Sequence, residues 1–76
     1  MKLISILEDK STGKVSKSTF SENCTLAQAF TMIESWCNDN NCVYPSLCNI
    51  WKSKGIIIVA VKTNDDKFIN EFNIID

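Results

Sequence analysis

Histidine and arginine are absent from this chain of 76 residues, and glycine (two) and proline (one) are scarce. Without histidine the commonest general base, proton shuttle and metal ligand is missing. Without arginine there is no bidentate fork for phosphates or guanines. The eight basic residues are all lysines and stand against nine acidic ones, a net charge of −1, whereas a dedicated polyanion binder is clearly basic. Long apolar runs are missing too. Met1 to Leu7 is interrupted at once by Glu8-Asp9-Lys10, which is too early for a signal peptide or a membrane span. These absences argue against an enzyme, a nucleic-acid binder and a membrane protein, and make a cytoplasmic location the default expectation. Lysine in place of arginine, with abundant asparagine and isoleucine, is what AT-rich codons produce and hints at a bacterial, phage or plasmid source.

What is present is the composition of a folded domain, with 45% apolar and 22% charged residues. The length allows one domain, residues 1–76, near the lower limit for a single core. Cys24, Cys37, Cys42 and Cys48 form an even set. Only Cys37 and Cys42 have a spacing close to that of zinc ligands, and no histidine completes a site. An intracellular chain seldom keeps disulfides. The cysteines are therefore expected as buried thiols acting as small hydrophobes, with a Cys37–Cys42 bridge left open. No cofactor or metal is expected.

Apolar periodicity predicts the elements. Lys2 to Glu8 alternates as a first strand, Leu3, Ser5 and Leu7 on one face and Ile4 and Ile6 on the other. Asp9 to Gly13 is a turn, and Lys14 to Phe20 a polar, lysine-bearing strand suited to a sheet edge. Thr25 and Gln28 form a capping-box pattern ahead of a helix over about residues 26 to 38. Its apolar stripe is Leu26, Phe30, Ile33 and Cys37, widened by Ala29 and Trp36. A third strand is expected after Pro45, from near Ser46, with Leu47, Asn49 and Trp51 opposite in facing to Cys48 and Ile50. Ser53-Lys54-Gly55 turns into Ile56 to Val61, six consecutive apolar residues. Phe68 to Ile75, after a polar turn, is a fifth strand or an extended tail.

The expected fold is α+β, one α-helix packed on a five-stranded antiparallel sheet in the chain order ββαβββ. Two spatial orders fit, 2-1-3-4-5 and 2-1-5-4-3, and both keep the apolar fourth strand inside. One helix covers one face. The other face then displays apolar residues of several strands, which points to a partner or a dimer.

Candidate contact residues are Gln28, Thr31 and Ser35 on the polar side of the helix, and Trp51, Lys52 and Lys54 at the second hairpin. A tryptophan beside lysines can stack a base and touch phosphate, although a core or rim tryptophan is the plainer reading. Lys10, Lys14 and Lys17 read as solvated edge charges. Asn64-Asp65-Asp66 lacks the alternating oxygen ligands of a calcium loop and reads as a turn. Glu8-Asp9 and Glu71 offer no paired acid and base, so no catalytic residue is expected.

With the helix start Thr25-Leu26-Ala27-Gln28-Ala29, the hairpin through Lys54-Gly55 and the turn Asp65-Asp66-Lys67, the chain resembles small phage-encoded anti-CRISPR proteins. It is similar in particular to type I-F inhibitors built from one helix on an antiparallel sheet, over about residues 25 to 68. The resemblance implies a non-catalytic inhibitor that binds a subunit of a host surveillance complex and blocks access of target DNA, often through polar and basic helix residues. Gln28 matches such a position. Phe30, Thr31, Ser35 and Trp36 stand where that helix face would carry basic residues. The rival expectations are a homodimer that buries its open sheet face and a weak nucleic-acid binder using Trp51 and the hairpin lysines.

Overall fold

Alternating side chains in five segments and a 3.6-residue period in one produce the elements β1 (Lys2–Asp9), β2 (Lys14–Ser21), α1 (Leu26–Asp39), β3 (Cys48–Ser53), β4 (Ile56–Lys62) and β5 (Phe68–Ile75). The computed structural model describes residues 1–42 and 48–76, with backbone alone at Cys48. The expected strand start near Ser46 and the facing of Leu47 lie outside the described residues. All strand pairs are antiparallel, in the order β2-β1-β5-β4-β3. The expected α+β architecture with one helix on a five-stranded sheet is therefore formed.

Of the two strand orders that fitted the sequence, 2-1-3-4-5 is not formed. The last segment is no tail but the central strand, with β1 on one side and β4 on the other. Side-chain character explains the choice. Phe72 and Ile74 of β5 are fully buried, and burial of this kind needs neighbours on both sides. The β3 sequence Cys-Asn-Ile-Trp-Lys-Ser carries a lysine and an asparagine that an edge tolerates.

Turn chemistry sets the hairpin registers. Ser53 pairs with Ile56, leaving the two-residue loop Lys54-Gly55. Both loop residues have positive φ (53° and 80°), the requirement of a type I′ turn. Gly13 supplies the positive φ of the first hairpin, and its N–H donates to the Asp9 carbonyl at 2.7 Å. A register shift between Leu3 and Ile4 bends the β1–β2 pairing near Ser21.

The helix begins as its sequence requires. Thr25 Oγ1 accepts from the Gln28 N–H at 3.1 Å, and Gln28 Oε1 accepts from the Thr25 N–H at 2.9 Å. At the other end the Asn40 carboxamide donates to the Trp36 carbonyl at 2.8 Å. The buried stripe is Ala29, Ile33 and Cys37, with Phe30, Met32 and Trp36 partly buried against the core. Leu26, expected in the stripe, is 39% exposed. It sits in the first turn, before the helix has reached the sheet, and Met32 packs on the core in addition.

The core joins this stripe to Leu3 of β1, Val59 and Val61 of β4, and Phe72 and Ile74 of β5. Phe72 is its centre. Its ring meets Phe20 at 5.4 Å and Trp36 at 5.8 Å, both edge-on. Full burial of a side chain of this size is worth about 3 kcal/mol. Cys24, Cys37 and Cys42 are buried thiols, and they fill core volume as small hydrophobes.

Candidate functional site

Residues paired across a sheet share a face, so the register defines what the uncovered side presents. The helix covers the face of Ile57, Val59 and Val61, which leaves that of Ile56, Ile58 and Ala60. At the level of Ile58 the side chains run Thr19, Ile4, Asn73, Ile58 and Trp51 from edge to edge. Two residues along each strand they run Lys17, Ile6, Glu71, Ala60 and Asn49. Neither the helix nor any other element among the described residues lies over them.

This face is apolar on either flank and polar along its middle. Ile4 and Ile6 stand on β1, Ile56 and Ile58 on β4, and Glu71 and Asn73 between them on β5. The alternation of β5 puts Ile69 and Ile75 on this side, and Glu71 and Asn73 share their parity and occupy the centre. Asn73 Nδ2 is covered by its neighbours and has no acceptor among the described residues. Most of the isoleucines are half-buried by one another, and the largest accessible apolar side chain on this face is Trp51, 43% exposed at the β3 edge.

The expected contact residues fall into two separate groups. Gln28, Thr31 and Ser35 are exposed on α1. Gln28 is occupied by the capping box, and the Thr31 hydroxyl donates back to the Ala27 carbonyl at 3.0 Å. Both line an open groove of about 470 Å³ between the helix and the end of β2, with Cys24 and Met32 also in its wall. Trp51, Lys52 and Lys54 lie on β3 and its turn. Trp51 pairs with Ile58 on the uncovered face, and Lys52 pairs with Ile57 on the helix side. A single flat contact cannot take both groups. Nor do Trp51 and Lys52 form a joint stacking and phosphate platform, because successive strand residues point to opposite faces.

Sequence reasoning missed Ile50. It follows the helix-side face, opposite Val59, yet is 52% exposed while Val59 is fully buried. Its position on an edge strand accounts for the difference, and only the strand order reveals that β3 is an edge.

The titratable groups gather at the turns. Asp66 Oδ1 accepts from Lys10 Nζ at 3.2 Å and Lys62 Nζ at 3.3 Å. Hydrogen bonds from these lysines hold its carboxyl below the ordinary range. The Thr63 hydroxyl, donating at 2.7 Å, does the same for Asp65, and the Ser11 hydroxyl, also at 2.7 Å, for Asp9. These carboxylates are engaged in closing turns. Burial pushes the Cys42 thiol up, and its Sγ donates to the Lys62 carbonyl at 3.2 Å, so it is held as a thiol and not as a nucleophilic thiolate. Among the described residues no three His, Cys, Asp or Glu side chains gather closely enough to hold a metal ion. No helix among them is long and apolar enough to cross a membrane.

Comparison with protein-family models, with curated proteins and with solved structures gives no match for this chain.

Proposed function

We propose that this chain is a small non-catalytic protein-binding module, serving a phage or mobile element as an inhibitor of a host CRISPR-Cas complex. It acts by steric blocking. The observation that carries the binding half is the uncovered sheet face, apolar on both flanks with Trp51 accessible at its rim. The inhibitor half is supported by the resemblance of the Thr25–Ala29 helix start and the two turns to small anti-CRISPR proteins.

A homodimer burying the same face is the rival reading. The polar centre counts against it, since two faces stacked on each other desolvate Glu71 of both copies, whose direct partners across the ladders, Ile6 and Ala60, are uncharged. A foreign protein can offer a matched donor there. Nucleic acid is disfavoured by the net charge of −1 and the opposed facing of Trp51 and Lys52.

The test is affinity capture of purified type I-F surveillance complex by the tagged chain, beside Trp51→Ala and Ile58→Lys variants, with phage plating on a CRISPR-immune host as the functional readout. Capture and restored plating by the wild type, both lost in the variants, support the proposal. A wild type that neither captures the complex nor restores plating removes the inhibitor reading. Light scattering at micromolar concentration distinguishes the dimer.

A further inference from the structure

Ile50 and Trp51 are adjacent residues that point to opposite faces of the sheet, and both are about half exposed (52% and 43%). A partner lying flat on either face reaches only one of them. The place from which one segment reaches both is the outer edge of β3, which pairs with no strand among the described residues. There an incoming strand also meets the unpaired backbone N–H and C=O groups of the edge.

The charge around this edge has one sign. Between Asp39 and Asp65 the sequence carries only three charged residues, Lys52, Lys54 and Lys62. Lys62 is paired with Asp66, and neither Lys52 nor Lys54 has a carboxylate partner among the described residues. Edge lysines ordinarily discourage strand pairing, and they do so here for a second copy of this chain. Two β3 edges joined to each other put four lysines on one seam with no carboxylate to offset them. For an acidic strand the same lysines are complementary. The opposite edge differs: β2 is bent by the register shift near Ser21 and is largely serine, threonine and lysine, so it offers less to hold.

We propose that the β3 edge takes up an extended, acidic segment of a partner protein by strand addition. Backbone hydrogen bonds supply the pairing, Ile50 and Trp51 pack on the added strand from its two sides, and Lys52 and Lys54 select carboxylates. The proposal rests on the protein-binding reading above and names the chemistry of the partner.

The probe is a capped peptide of alternating valine and glutamate, about eight residues long to match a strand, titrated into the ¹⁵N-labelled chain. Expected are amide shifts along β3, binding that weakens as salt rises, and weaker binding to Ile50→Thr and Trp51→Ala. N-methylation of alternate peptide residues removes backbone donors and leaves the side chains in place, and should weaken binding about tenfold or more. Equal binding by the N-methylated peptide, or by a valine–lysine peptide, overturns strand addition by an acidic segment. So does the absence of β3 shifts at millimolar peptide. Capture of a protein partner that depends on Ile58 yet leaves the β3 amides unperturbed also overturns the edge proposal, while the protein-binding reading survives.

Discussion

Ser5 and Asn70 meet diagonally across the β1–β5 ladder, the Ser5 hydroxyl donating to Asn70 Oδ1 at 2.8 Å on the helix side of the sheet. Asn70 is wholly buried, and its Nδ2 has no acceptor among the described residues. The pair is thus a half-satisfied polar contact in an otherwise apolar layer, and it depends on one hydrogen bond.

Ser5→Ala therefore removes the bond and strands a buried carbonyl oxygen, at an expected cost of about 1–3 kcal/mol. Pairing it with Asn70→Val removes both polar groups and should recover much of that loss. Chemical denaturation of the single and double variants measures it, and a double variant weaker than the sum of the two singles contradicts the account.

Core and rim aromatics should separate cleanly. Phe72→Ala, which empties the centre of the core, is expected to cost about 3–5 kcal/mol. Trp51→Ala, at the accessible edge, should cost less than about 1 kcal/mol and act on partner capture instead. Thermal unfolding beside a capture assay separates the two effects.

At the helix start, Thr25→Ala should destabilise by about 1 kcal/mol, because it leaves the Gln28 N–H without its acceptor. Thr25→Ser should restore most of it. Urea midpoints of the three proteins test the cap directly.

Acid should loosen the turns. Asp9, Asp65 and Asp66 are held below the ordinary carboxylate range in the folded chain. Each contributes stability that is present above its unfolded value and is lost as pH falls through its lower folded value. Thermal midpoints should accordingly drop on the acid side, and Asp66→Asn should flatten that drop. Because these groups are exposed, added salt should shrink the Asp66 part by screening its lysines. A profile unchanged by Asp66→Asn removes the ion pairs from the account.

Native thiols should be slow to react. Cys37 is fully buried and Cys42 is 8% exposed with its thiol pushed up by burial. Peptide-resolved mass spectrometry after iodoacetamide at neutral pH should find both unmodified in the folded chain and modified in denaturant. Modification of Cys42 at the unfolded rate would show that the site is open.

Much of the architecture could be read along the chain, because its signals are local. The Thr25–Gln28 capping box, the Lys54-Gly55 turn and the alternation of Leu3, Ser5 and Leu7 against Ile4 and Ile6 each lie within a few residues. Each was realised as read. Leu26 differs: helical periodicity puts it on the stripe, but its exposure depends on where the helix first meets the sheet.

Which strands become neighbours is not a local property. Alternation assigns every β residue to one of two faces and leaves open which face the helix covers and which strand ends at an edge. By inserting β5 between β1 and β4, the tertiary structure put Glu71 and Asn73 in the middle of the uncovered face and left Ile50 and Trp51 at an open edge. The composition had already left the chain without histidine or arginine. The surface left for binding was decided by contacts between residues far apart in sequence, where the burial of Phe72 and Ile74 outweighed any preference held by β3 alone.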